Sequence, residues 1–407
     1  MSRKQFVTVL ILLVALGGAA LLLRSRSTSS WSETATGAGG KVLDFPLNDV
    51  SHVSIKGGGG ELNVVKSADI WKVAERFQYP ADFDKVATLL RKLWELRAAQ
   101  EVKAGTSQFS RLQLTPPTSD PNSGLLVDLI GNNHKRLAAL LLGKKYLRES
   151  NEAPGGGFPA GRYVAPQDGS NRVFLVSDTF EEIQTKPEQW LSREFITIQK
   201  PKLIAITGPA PAMNWKLVRE NESAAWKFAD PMPGEEIDNS KATSVANILA
   251  SPTFVDVLDP KTPPNQSGLD RPATAHVETF ENFVYDLRIG KLTGENYPTL
   301  ITVSAHLPGE RTPTKDEKPE QKANLDQQFQ SQQKQLTDRL EKEKKLENWP
   351  YLISRNTIEQ LIKDRTALLA EKKTASPAPQ PPGPSAPAPP PKGSKTTPRP
   401  HPPGRPR

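Results

Sequence analysis

The sequence predicts an α+β protein: one N-terminal transmembrane helix, then two tandem copies of a mostly antiparallel-sheet-plus-helix module, then a disordered Pro-rich tail. Three observations predict this. An uncharged apolar run stands near the N-terminus, the central part of the chain resembles itself at an offset of about 155 residues, and 14 of the last 33 residues are proline. The divisions that follow are an anchor over 1–24, a flexible spacer over 25–41, a first module over 42–200, a second over 201–370 and a tail over 371–407.

The run Phe6 to Leu23 holds no charge and is bracketed by Arg3 and Lys4 before it and Arg24 and Arg26 after it. Its length suffices to cross a hydrocarbon core. The rival is a cleaved signal peptide, with Gly18-Ala19-Ala20 as its small-residue cleavage site. Leu21, Leu22 and Leu23 carry the apolar run past that site and favour the anchor. The flanking charges nearly balance, with the α-amine adding to the N-terminal side, which places the body outside the cytoplasm, at the inner membrane of a cell with a periplasm. Ser, Thr and Gly dominate the next residues, as in a flexible spacer.

Self-similarity identifies the repeating unit before any secondary structure is assigned. VSIK (53–56), ELNVVK (61–66), IWKVAER (70–76), LTPP (114–117) and LLLGKK (140–145) are answered by IAIT (204–207), NWKLVR (214–219), AWKFAD (225–230), LDRP (269–272) and LRIGKL (287–292). Trp71 and Trp226, Leu114 and Leu269, and Pro117 and Pro272 are each 155 apart, and Asp82 and Lys85 precede Asp238 and Lys241 by 156. Each copy closes with a strand and a helix, VFLVSDTFEEI (173–183) and PYLISRNTIEQLI (350–362). Within a copy, β-branched runs bounded by glycine read as strands, with Gly57–Gly60 as a hairpin loop. Val86, Leu89, Leu90, Leu93 and Leu96 recur at helical spacing after Asp82, a preferred N-cap.

The second copy also carries a polar insertion from about 310 to 346, dense in Lys, Glu and Gln, with Leu325, Phe329, Leu336 and Leu340 as a thin apolar stripe. That pattern predicts a solvated helix, or an arm that meets a partner. The proline content of the tail excludes helix and sheet there and leaves an extended chain.

A formal charge of +8 suggests nucleic acid until the charges are placed. Nine of the positives lie in residues 1–26 and 375–407, which hold no acid, so the stretch between them nets −1. A body so balanced lacks the basic excess that follows a phosphate backbone, and no nucleic-acid partner is expected. Cysteine is absent, which excludes disulfides, thiolate metal ligands and a cysteine nucleophile.

No constellation of residues adds up to a catalytic, cofactor or metal site. Gly57–Gly60 and Gly155–Gly157 lack the Gly-Lys-Ser/Thr of a phosphate loop. His52, His134, His276, His306 and His401 are scattered without metal-ligand spacing. Asp82 and Asp84 stand at a helix start, where capping and the helix dipole favour them. No Gly-x-Ser-x-Gly elbow is present. Trp71 and Trp226 recur once per copy and read as packing residues.

Trp71-Lys72-Val73, Ala81-Asp82, Leu89-Leu90 and Leu93, Leu114-x-x-Pro117, Leu142-Gly143-Lys144 and Tyr163-Val164 together resemble a bacterial membrane-protein family labelled domain of unknown function 4340. The resemblance covers the anchor and most of residues 42–365, and its motifs are packing signatures. It implies a companion of gliding-motility-type ABC-transporter auxiliary components. The polar insertion and the proline tail depart from the common pattern. The expectation is therefore a non-enzymatic accessory or scaffold protein, anchored in the membrane and bound to protein partners in a membrane complex, without cofactor. An envelope-polymer or glycan-binding module and an unrecognised hydrolase are the alternatives.

Overall fold

The computed structural model describes residues 39–120, 122–149, 157–313 and 317–371. The apolar run 6–23, its candidate cleavage site, the spacer up to residue 38, Gly155 and Gly156, and the tail from 372 on, His401 included, lie outside the described residues. Among the described residues no helix is long and apolar enough to cross a membrane. One compact unit ends at Leu369, and a second begins at Ala370, of which only two residues are described.

Period-two burial builds two antiparallel sheets. In strand β15 (Phe283–Ile289) Phe283, Tyr285, Leu287 and Ile289 are buried while Asp286 and Arg288 face out, the alternation a one-sided sheet requires. The first sheet holds β1 (Val50–Gly57), β2 (Gly60–Ser67), β3 (Ile70–Val73), β4 (Tyr79–Pro80), β5 (Gln100–Val102), β6 (Leu125–Gly131), β7 (Arg136–Glu149), β8 (Gly157–Pro166) and β9 (Val173–Val176), ordered β4-β3-β2-β1-β6-β7-β8-β9-β5. The second holds β10 (Pro201–Thr207), β11 (Trp215–Val218), β12 (Lys227–Phe228), β13 (Asp256–Val257), β14 (Ala273–Thr279), β15, β16 (Asn296–Ala305) and β17 (Tyr351–Ser354), ordered β12-β11-β10-β14-β15-β16-β17-β13. With β4 set aside, the second order follows the first strand for strand.

The helices that cover the sheets correspond too. Helix α1 (Phe83–Glu95) buries Val86, Leu89, Leu90 and Leu93. Helix α2 (Asn239–Ala250) buries Ala242, Val245, Ala246 and Leu249, the same positions shifted by 156. The Asp82 carboxylate accepts the Lys85 N–H at 3.0 Å, and that of Asp238 accepts the Ser240 and Lys241 N–H groups. The Lys85 ammonium donates to the Gln189 carbonyl, and that of Lys241 to the Leu369 carbonyl. A short helix, α3 (Pro264–Ser267), precedes β14.

Three local expectations are refined. Residues 39–41, read as the end of the spacer, are pinned to the body, because Gly39 donates to the Ala98 carbonyl, Ala98 donates to that of Gly40, and Lys41 bridges Arg97. The helix expected after β9 does not form: Phe180 takes a left-handed backbone conformation and is fully buried, which a continuing helix forbids. Its counterpart after β17 does form, as α5 (Arg355–Leu361), capped by Ser354. The insertion is a single helix, α4 (Pro319–Lys344), whose C-terminal half is docked. Leu336 and Leu340 pack on the core, and Glu343 is 6% exposed.

Candidate functional site

The residues singled out in the sequence are absorbed by architecture. Gly57–Gly60 turns β1 into β2, and Gly157 opens β8. Trp71 and Trp226 are buried. His52 contacts Asn63, His276 contacts Asp286 at 2.6 Å, and His134 sits with positive φ between β6 and β7. Among the described residues no group of three His, Asp or Glu side chains is placed to hold a metal ion.

What the fold assembles instead is a groove of about 730 Å³ between the β3–β4 end of the first sheet, the segment 192–194 and the end of α4. Two rings in its floor, Tyr79 and Trp349, belong to an aromatic cluster that lies behind it. Tyr79 meets Trp349, Phe254 and Tyr351 edge to face at 5.1, 5.9 and 6.1 Å between ring centroids, and Phe195 meets Tyr351 at 4.7 Å. Edge-on contacts of this kind add to the hydrophobic gain of burial, and they join residues of both sheets. Burial pushes the Tyr79 phenol up to about 12 and raises that of Tyr351 further.

Polar contacts fix the groove's walls. The Arg193 guanidinium donates to the carbonyls of Phe254 and Glu188 at 2.9 and 2.6 Å and lies over the Phe254 ring. Arg76 pairs with Asp256 at 2.6 Å and with Glu188 at 3.1 Å. Asp82, also on the wall, is committed to capping α1. No histidine lines the groove, and at its edge two exposed apolar side chains, Ile70 at 52% and Phe83 at 64%, stand among the charged Asp84, Arg193, Glu194, Lys342 and Lys345.

Phe83 was passed over in the sequence, although a local signal for it exists. It opens α1 outside the buried stripe, so helical spacing marks it as an aromatic residue that the core does not use. Trp349, Phe254 and Tyr79 come together only through tertiary contact. Of the nine large apolar side chains exposed among the described residues, seven lie in the first sheet and α1 or the turns joining them, and only Met232 and Val255 lie after residue 200.

Fold and groove define a class: a two-sheet antiparallel α+β protein with a groove set against an aromatic cluster. Residues 71–272 match the family described as Domain of unknown function (DUF4340), and over that span the chain belongs to it. The match runs from Trp71 in β3 to Pro272 just before β14 and so crosses from the first sheet into the second. No curated protein and no solved structure matches the chain.

Proposed function

We propose that the chain is a single-pass membrane protein whose body lies outside the cytoplasm as two tandem modules, 42–200 and 201–370. In this reading it acts as a non-enzymatic accessory or scaffold subunit, holding a protein partner in a membrane complex of the ABC-transporter type. The uncharged run Phe6–Leu23 supports the anchor. The matching strand orders and the equivalent caps Asp82 and Asp238 support the duplication. The observation that carries the role is the groove, with Ile70 and Phe83 held in water at its edge. Exposed apolar surface of this kind marks an interaction site, and burying one such side chain contributes about 1.5–3 kcal/mol.

A photo-crosslinking amino acid at position 83, activated in intact cells, tests the reading. Capture of an integral membrane subunit, lost on Ile70→Glu, is the expected result. If position 83 captures nothing while protease added to spheroplasts cleaves the body, the scaffold role is refuted. If protease cannot reach the body, the extracytoplasmic placement is refuted.

A further inference from the structure

A second cavity, of about 500 Å³, opens between the β7–β8 hairpin and the turn that precedes Leu112, and it shares no lining residue with the groove. Arg111, Lys144 and Lys145 line it together with Tyr146, Leu147 and Tyr163, and no carboxylate does. Lys145 reaches Glu181 at 2.8 Å. Neither Arg111 nor Lys144 has a carboxylate partner among the described residues. The two tyrosines meet edge to face at 6.3 Å. Leu147, which lines the cavity, is half exposed. Unanswered cations beside exposed apolar groups are unexpected in a stretch that nets −1.

The second sheet provides an internal comparison. Lys144 donates its N–H to the Leu112 carbonyl, and Lys291 donates its own to the Ser267 carbonyl. These equivalent bonds align Arg111 with Gln266, Lys145 with Leu292 and Tyr146 with Thr293. The same corner therefore folds without two of the cations and without the first tyrosine, so architecture does not demand them.

We propose that this cavity binds the headgroup of an anionic phospholipid. Arg111 and Lys144 take the phosphate, Tyr146 and Tyr163 sit at headgroup depth, and Leu147, as the apolar lip, enters the acyl boundary. Arginine and lysine recognise phosphate through charge-assisted hydrogen bonds, and tyrosine favours the interface of water and lipid. The inference rests on the membrane-anchored reading above. Free phosphate shares the headgroup's charge but cannot use the lip.

The test takes the full chain in neutral detergent and titrates it with dihexanoyl phosphatidylglycerol, dihexanoyl phosphatidylcholine or inorganic phosphate. Acylation of Lys144 is read by peptide mass spectrometry against exposed Lys216 on β11. Phosphatidylglycerol should slow Lys144 labelling about fivefold relative to Lys216, the equivalent of one lysine or arginine at an anionic surface, while phosphatidylcholine leaves it unchanged. Arg111→Gln, the residue the second sheet carries, should weaken that protection about fivefold at an unchanged Tm. Equal protection by phosphatidylcholine, equal protection by inorganic phosphate, or none at all would each overturn the proposal. Because the titration needs no bilayer, failure of the chain to insert into vesicles would count against the anchor alone.

Discussion

A β-carbon on Gly143 would lie 2.3 Å from the Leu112 carbonyl oxygen, and one on Gly290 would lie 2.2 Å from that of Ser267. Both contacts are with backbone, which cannot rotate away. Gly143, within β7, and Gly290, just past β15, let the loop that carries Leu114 or Leu269, both buried, come close. Gly143→Ala and Gly290→Ala should each destabilise the fold by about 1–3 kcal/mol, the cost of forcing atoms into a packed site. Chemical denaturation followed by tryptophan fluorescence would measure it, and a neutral result would show that the two corners are not the tight approaches described. The N-caps form a gentler pair. Asp82→Ala and Asp238→Ala should each cost about 1 kcal/mol in the same assay. These aspartates were readable from their place before an apolar stripe, whereas the glycines showed only as a shared Gly-Lys whose reason lies in the opposing carbonyl.

Helix α4 shows how far an element can depart from its sequence pattern. Arg339 donates to the Thr197 carbonyl at 2.6 Å, to the Tyr285 hydroxyl at 2.7 Å and to Glu281 at 2.9 Å, and lies over the Phe283 ring. Glu343 accepts from the Tyr285 hydroxyl and from the Thr197 N–H. A charged residue in a Lys- and Glu-rich helix ordinarily faces water, and the i, i+4 spacing of Arg339 and Glu343 looks like a solvated pair. Here that pair fastens the helix to β15 and to the segment joining the sheets. Arg339→Met strands Glu343 without its cation and should destabilise the protein by about 3–5 kcal/mol. Arg339→Met with Glu343→Leu removes both charges and should recover part of that loss. If the double variant is as unstable as the sum of the single ones, the two residues act independently.

At the scale of the whole molecule the two sheets meet through the rings around Tyr79, and those rings make stability depend on alkaline pH. The Tyr79 phenol ionises near 10 in the unfolded chain and at about 12 in the folded one. The folded state thus keeps a proton that the unfolded state gives up. Its contribution is complete below pH 10 and is lost as the pH climbs to 12. Burial also raises Tyr285 and Tyr351, so Tm should fall steeply over that interval. Tyr79→Phe should flatten part of the fall, and an unchanged slope would place the titration elsewhere.

Local patterning was enough to reveal many of the strands, the two capped helices, the antiparallel sheets and the polar insertion. These depend on period, turn chemistry and the recurrence of Trp, Asp, Leu-x-x-Pro and Gly-Lys, all of which are written along the chain. Only the tertiary structure decided that Phe180 would break a helix its counterpart completes, that Glu343 would be buried, and that Arg339 would be docked beside it. It alone brought Tyr79, Phe195, Phe254, Trp349 and Tyr351 into one aromatic cluster, and Arg111, Lys144 and Tyr163 to one cavity. Those outcomes depend on pairs of residues far apart in sequence, where burial is set by what packs opposite and no local period reports it.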